Sequence, residues 1–218
     1  MKKFFKIFLA LILCLALFGC QKKQEILPKQ SLESLIGLVV FQSTTAIENI
    51  GITQEEGQEI LKGIKEEAIL TLENTFKSLD LNIPIEKVEE IFNTQSNILK
   101  NVVLRIEENA EDLKEKSDIR RVKISTNTLP ISETLLNSSN EILKKLELNE
   151  IKDENQFNEI FVSKILEALN SVKPSQEDIS FEVSCIRNNV DINGKEVYIW
   201  LPEDIESFAQ SLIDYIQE

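Results

Sequence analysis

The amino-acid sequence predicts an α+β fold: a helix-rich domain with an antiparallel sheet of about four strands, formed by two hairpins. Apolar residues recur every three or four positions in several long stretches, which is the period of a helix that buries one face. In two other regions apolar and polar residues alternate, as in half-buried strands. The strand-like stretches follow one another in pairs, which favours an antiparallel sheet over a doubly wound one. The predicted order is ααα-ββ-αα-ββ-α.

The N-terminus has the parts of a bacterial export signal. Three lysines within the first six residues precede an apolar block from residue 7 to 18. The block ends in Leu17-Phe18-Gly19-Cys20, which resembles the lipobox of bacterial lipoproteins. The resemblance implies that a signal peptide of residues 1–19 is removed and that Cys20 carries a diacylglyceryl thioether. The alternative is an uncleaved span, but this apolar block is shorter than the roughly 20 residues that cross a bilayer.

The rest of the chain is expected to be a tether and one domain. Residues 20–30 are polar and contain Pro28, so they are predicted to be a tether that follows the lipidated cysteine. Residues 31–218 are predicted to form a single extracytoplasmic α+β domain. Without the leader the chain has 199 residues, enough to bury a sizeable core.

The first half of this domain contains three predicted helices. Ser31 is the expected N-cap of the first helix, and Gly51 is expected to end the helical segment that follows. Thr53 and Glu56 have the spacing of a capping box, which starts the second helix. The third helix is expected to start at Pro84.

A hairpin is predicted to follow the third helix. Apolar residues alternate with polar ones over residues 102–107 and again over residues 120–126. The polar, nearly charge-balanced segment 109–117 between them is expected to be a solvated loop. The two stretches are therefore predicted to be antiparallel partners.

The second half repeats the pattern of helices followed by strands. A second helical section opens at Pro130, and Asp153 is the expected first residue of a second capping box. Residues alternate from Ile179 to Cys185, which places the Cys185 thiol on the apolar side of a strand as an inert core residue. The last helix is expected to start near Pro202.

One segment resembles the first half of a calcium-binding loop. Asn189, Asp191 and Asn193 place oxygen-bearing side chains at alternate positions before Gly194. The first position lacks an acid, however, and the twelfth is Trp200, where a calcium loop has Glu. Asn-Gly is also a strong signal for a type I′ hairpin turn, so the segment is predicted to be a hairpin without a metal.

Charge and residue types argue against several classes of function. The formal charge of −13 becomes −16 without the leader, because the leader carries three lysines and no acid, and this disfavours nucleic acid as a partner. The chain contains no histidine, which removes the commonest general base and zinc ligand. With Cys20 lipidated, Cys185 has no partner for a disulfide. No phosphate-binding or nucleophile motif is present, and no cofactor is predicted.

Three short motifs carry a resemblance to a known group of proteins. They are the Ile-Thr-x-Glu-Glu helix start from Ile52 to Glu56, Val-Lys-Pro-Ser from Val172 to Ser175, and Pro-Glu-Asp from Pro202 to Asp204. With the lipobox and the order of elements, they resemble a family of bacterial lipoproteins of unknown function. The resemblance implies an extracytoplasmic α+β domain on a lipid anchor, and it supplies no catalytic residue.

Two classes of function follow from these observations. The first is a lipoprotein anchored to a plasma or outer membrane that acts as a binding or interaction module at the cell envelope, for a peptide, a small ligand or another envelope protein. The alternative is an enzyme that works through carboxylates on an envelope substrate, which would need two convergent acids in different environments. The sequence itself shows no cluster of Trp, Tyr and Arg that would mark a ligand site.

Overall fold

The computed structural model describes residues 24–109, 117–147, 151 and 153–217. The predicted leader, Cys20 and most of the predicted loop 109–117 lie outside these ranges. The α-helices are α1 (Pro28–Val39), α2 (Gln54–Ser78), α3 (Ile85–Leu99), α4 (Ile131–Glu147), α5 (Glu154–Ser171) and α6 (Ile205–Gln217), and a 3-10 helix covers Ile47–Ile50. The strands are β1 (Gln24–Glu25), β2 (Leu104–Glu108), β3 (Ile119–Asn127), β4 (Asp178–Ile192) and β5 (Lys195–Pro202).

The prediction of an α+β fold is confirmed, but the predicted sheet of four antiparallel strands is wrong in detail. The sheet has five strands in the order β1-β5-β4-β3-β2. Strands β2 and β3 are antiparallel, as are β4 and β5, whereas β1 runs parallel to β5. The observed order of elements therefore differs from the predicted one by a strand at its start. With two polar residues, β1 is too short to show an alternating pattern in the sequence.

The described residues group into two compact units. Unit 1 contains the described residues up to Ile64 together with those of Val103–Thr126 and Asp178–Ile213. Unit 2 contains Lys65–Val102 and the described residues of Asn127–Glu177 and Asp214–Glu218. The single domain predicted for residues 31–218 stays a prediction.

Helix α1 begins three residues before the predicted start at Ser31. Leu27 is its N-cap and Pro28 occupies the first turn. Proline is favoured there because the first N–H groups of a helix have no partner inside the helix and the proline ring fixes a helical φ. Residues 24–30, predicted to be part of the tether, therefore lie in β1, a short connection and the first turn of α1. The helix packs against β5 and β2 and buries Leu32, Leu35 and Ile36.

The predicted capping box at the start of α2 is confirmed. The Thr53 backbone N–H donates to Glu56 Oε2 at 2.8 Å, and the Glu56 N–H donates to Thr53 Oγ1 at 3.2 Å. Just upstream, Gly51 ends the 3-10 helix with φ at 78°. A Cβ at Gly51 would lie 3.1 Å from the Cβ of Val190 on β4, so both backbone conformation and close packing favour glycine.

The two predicted hairpins are present in unit 1. In the first, Ile106 of β2 pairs with Ile124 of β3, and both are buried. In the second, Asn193 and Gly194 form the two-residue turn between β4 and β5, with φ angles of 55° and 76°. Two successive positive φ angles are typical of a type I′ turn, so this part of the prediction is confirmed.

Unit 2 is built from helix packing. Helix α5 packs against α3 and α4. The Phe161 ring lies 5.9 Å from Phe76 in an edge-on arrangement and 6.1 Å from Phe157. Asp153 caps α5, since its Oδ1 accepts the Gln156 N–H at 2.9 Å as the sequence predicted. None of the helices within the described ranges combines the length and apolar composition needed to cross a membrane.

Candidate functional site

The residues of the predicted hairpin form the end of a strand and a tight turn. Asn189 and Asp191 lie in β4, and Asn193 is the first turn residue. Asp191 Oδ1 accepts a hydrogen bond from the Gly194 N–H at 2.7 Å, which closes the turn. Over the described ranges, no group of three or more acidic or cysteine side chains could hold a metal ion. Cys20, the other residue singled out by the sequence, lies outside those ranges.

Cys185 lies in the core, as its place in the alternating pattern predicted. The residue is fully buried in β4 and stands opposite Pro202 of β5. Burial raises the pKa of its thiol to about 12, because an apolar surrounding disfavours the thiolate. A nucleophilic cysteine requires the thiolate near neutral pH, so this environment suits packing and not catalysis.

A group of arginine and aromatic side chains lies on one face of the sheet in unit 1. Trp200 of β5 pairs with Arg187 of β4, and Tyr198 of β5 stands beside Glu25 of β1. Side chains of paired residues share a face, and residues two apart in a strand return to it. Arg120 belongs to β3, the strand next to β4, and its side chain extends across β4 to the Trp200 ring of β5. We name these five residues the arginine–aromatic cluster.

Arg120 is the most enclosed charged residue of the cluster. Its side chain is 11% exposed, and its guanidinium carbon lies 4.0 Å from the centre of the Trp200 ring. Its Nη2 donates to Glu25 Oε1 at 2.8 Å, and the Trp200 indole N–H donates to the same oxygen at 3.0 Å. The carboxylate thus fixes the edge of the guanidinium while the indole supports its face, a favourable cation–π arrangement.

Arg187 repeats this arrangement in a more exposed position. Its guanidinium lies 4.7 Å above the Tyr198 ring, and its Nη2 pairs with the carboxylate of Asp118. Its backbone N–H also donates to the Asp118 carbonyl oxygen at 3.0 Å. The side chain of Arg187 is 40% exposed, so this pair is solvated and its contribution to stability is small.

Three buried polar atoms on or beside the cluster have no hydrogen-bond partner within the described part of the chain. They are Nε and Nη1 of Arg120 and Oδ1 of Asn189. Asn189 pairs with Tyr198, the neighbour of Glu25, and Arg120 is joined to the same carboxylate by its Nη2. Leaving a buried donor without an acceptor costs about 1 to 3 kcal/mol, and more for a charged group. Arg120 of the cluster and the adjoining Asn189 therefore keep two buried cationic donor atoms and one buried acceptor without a partner in this part of the chain.

Other groups with shifted pKa values lie outside the cluster, and each has a local cause. The N–H and hydroxyl of Ser207 donate to Asp204 at the start of α6 and lower the pKa of its carboxyl. On the surface of unit 2, hydrogen bonds with Glu167 and Glu141 raise the pKa of Lys164. The same lysine lowers the pKa of Glu141. A helix cap and a surface ion-pair network explain these shifts without a catalytic role.

Comparison with known proteins yields a similar fold. No protein-family model matches the sequence, and no curated protein matches it. The crystal structure of a candidate lipoprotein (ycdA) from Bacillus subtilis subsp. subtilis str. 168 superposes with a TM-score of 0.57 at 13% identity. The alignment covers 87% of this chain but 55% of that protein, so this chain spans about half of its length. The likeness shows the fold.

Sequence reasoning missed the arginine–aromatic cluster. Its members come from β1, β3, β4 and β5, and the bond from Trp200 to Glu25 joins residues 175 positions apart. The sequence contains one relevant signal. The only tryptophan lies in a predicted hairpin, and the Asn193-Gly194 turn fixes the register of that hairpin. That register places Arg187 opposite Trp200, but it says nothing about Arg120 or Glu25.

Proposed function

We propose that this chain is a bacterial lipoprotein, anchored to an envelope membrane through a lipidated Cys20, whose α+β part is a binding module without catalytic activity. The module binds a ligand with anionic oxygens, such as the carboxylate or phosphate group of a peptide or small molecule, at the arginine–aromatic cluster. The observation that carries the proposal is that Nε and Nη1 of Arg120 are buried and have no hydrogen-bond partner among the residues that the structure describes.

Two independent features support the anchor. The Leu17-Phe18-Gly19-Cys20 motif follows a short apolar block with a basic start, as in lipoprotein signals. The fold is similar to that of a candidate lipoprotein from a bacterium. A thioether-linked diacylglycerol would supply two acyl chains, which is what stable attachment to a membrane requires.

The ligand chemistry follows from Arg120. A guanidinium presents donors in a fixed plane that match carboxylate and phosphate oxygens, and the Trp200 ring and Glu25 hold that plane in place. An anion bound there would accept the unpartnered N–H groups. The buried Oδ1 of Asn189 favours a ligand that also carries a donor, as an amide or hydroxyl does.

The carboxylates of the site support binding over catalysis. Glu25 accepts bonds from both Arg120 and Trp200, and Asp118 pairs with Arg187. Each is engaged in orienting a guanidinium, so neither is placed to exchange a proton with a substrate. A carboxylate enzyme needs two convergent acids with different environments.

The test uses the soluble form, residues 21–218, with phosphate and acetate as probes. At constant ionic strength, we expect saturable binding of at least one anion, followed by the fluorescence of Trp200, the only tryptophan of the chain. Arg120→Met retains most of the packing of the side chain and removes all its donors, so it should abolish the saturable signal.

The matched control is Arg105→Met, which removes an exposed arginine from another strand of the same sheet. Arg105 pairs with Asp178 and has 55% of its side chain exposed. This variant should bind the probes as the unaltered protein does. If neither anion saturates, or if Arg105→Met and Arg120→Met lose binding equally, the proposed site is wrong.

A further inference from the structure

The chain is fixed to unit 1 from residue 24 onward. Gln24 pairs with Val197 and Glu25 with Tyr198, and the Ile26 N–H donates to the Tyr198 carbonyl oxygen at 2.8 Å. The Glu25 side chain is held by Arg120 and Trp200, as described above. Pro28 then starts α1, which packs on β5. The segment predicted to be a tether of about ten residues is therefore part of unit 1 from residue 24 onward, as β1, a short connection and the first turn of α1.

This attachment leaves a short connection to the lipid. Cys20 precedes Gln24 by four residues, and an extended chain spans at most about 3.3 to 3.6 Å per residue, so the connection reaches about 14 Å. A free tether from Cys20 to residue 30 would reach roughly 35 Å by the same measure.

We infer that the β1 edge of the sheet in unit 1 faces the membrane and contacts the lipid headgroup layer. This inference rests on the lipidation of Cys20 in the proposed function. The acyl chains place Cys20 at the membrane surface, and the short connection holds Gln24 and Glu25 close to that surface. Leu27, which is 40% exposed and lies two residues after β1, is an apolar side chain close enough to the anchor in sequence to enter the interface.

Electrostatic attraction to the lipid does not hold β1 close to the membrane. Residues 20–218 carry a formal charge of −16, so an anionic lipid surface repels the folded protein as a whole. The lysines at positions 22 and 23 lie within the connection itself and are the basic residues nearest the anchor in sequence. The contact therefore depends on the covalent link and on its length.

Trp200 is a fluorescent probe that lies next to β1. It is the only tryptophan of the chain, it is fully buried, and its indole nitrogen lies 3.0 Å from the β1 carboxylate of Glu25. Energy transfer from Trp200 to dansyl-labelled phosphatidylethanolamine falls steeply with distance, so it reports how close β1 lies to the headgroups.

The experiment compares the lipidated protein in vesicles with a variant that carries an insertion after Lys23. About 20 Gly and Ser residues add roughly 25 Å of flexible chain. We expect strong transfer in the natural protein and a severalfold loss in the insertion variant. The same segment appended after Glu218 should leave transfer unchanged. Equal transfer from the natural and insertion proteins would overturn the inference.

A second arrangement separates this inference from the proposed anchor. The mass of the membrane-derived protein shows whether Cys20 is lipidated, and an unmodified Cys20 would refute the proposed function. The 20–218 protein can also be coupled at Cys20 to vesicles that contain a maleimide lipid, since Cys185 is buried and reacts slowly. Here too the natural connection should give stronger transfer than the lengthened one, and equal transfer would refute the placement of β1 independently of native lipidation.

Discussion

Trp200 shows how one buried side chain brings together residues that are far apart in the sequence. Its indole N–H donates to Glu25 of β1, and its backbone N–H donates to Ser31 of α1. The guanidinium of Arg120 from β3 stacks on its ring. The hairpin register that the sequence indicates places Trp200 opposite Arg187, but it predicts none of these three contacts. These contacts depend on strand order, which periodicity does not determine.

Cys185 is the opposite case, a residue whose environment followed from the sequence. The alternation from Ile179 to Cys185 marks one side of the strand as apolar, and the structure buries the thiol completely on that side. Strand register is set by this period of two, so a single correct assignment fixes the side of every residue in the stretch.

We therefore expect Cys185→Ser to lower the free energy of unfolding by about 1 to 3 kcal/mol, because it buries a hydroxyl in an apolar site. Cys185→Ala should cost less, since it introduces no polar group. Urea unfolding of the soluble form measures both. Rapid labelling of the Cys185 thiol in the folded protein at pH 8 would contradict this prediction, because a buried thiol with a pKa of about 12 reacts slowly.

At the scale of elements, the capped starts of α2 and α5 and the hairpin turn between β4 and β5 were predictable, whereas the edge strand β1 and the start of α1 were not. Thr53 with Glu56 and Asn193 with Gly194 carry their signal within four residues, and both form the expected structure. Strand β1 has no such local signal, because its pairing with β5 depends on a partner far along the chain. Pro28 favours a tether in the sequence, although the first turn of a helix tolerates proline and α1 begins there.

Beyond the end of β1, a side chain supplies the hydrogen-bond acceptor for the next backbone N–H on the edge of β5. Strand β1 pairs with Val197 and Tyr198, and the next N–H on this edge, that of Trp200, donates to Ser31 Oγ at 3.2 Å. Both Ser31 and Trp200 are fully buried. The hydroxyl therefore supplies the acceptor that a longer β1 would have provided, and it satisfies a backbone group that water does not reach.

Ser31→Ala should lower the free energy of unfolding by about 1 to 3 kcal/mol, because the Trp200 N–H is then buried without an acceptor. Ser139→Ala is the matched control, since Ser139 is exposed on α4 and its hydroxyl donates to the Leu135 carbonyl oxygen of the same helix at 2.9 Å. The control should change stability by no more than about 0.5 kcal/mol. Equal effects of the two substitutions in urea unfolding would show that the Ser31 hydroxyl does not complete the strand edge.

At the scale of the whole molecule, the dominant feature is an excess of acid. The chain has 37 acidic and 24 basic residues, and removal of the predicted leader increases the imbalance. Like charges destabilise a compact state by repulsion, and dissolved ions reduce that repulsion. We therefore expect added cations to act through screening. Over the described ranges the acids do not gather into a group that could hold a metal.

This distribution of charge leads to a prediction about calcium. Calcium added to the soluble form at neutral pH should raise the melting temperature slightly and without saturation, and magnesium or sodium chloride should mimic it. Asp191→Ala should melt lower under all conditions, because it removes the acceptor of the Gly194 N–H in the turn, but its increase with calcium should equal that of the unaltered protein. A saturable, calcium-specific increase at micromolar concentration, lost in Asp191→Ala, would instead show that the segment from Asn189 to Trp200 binds calcium.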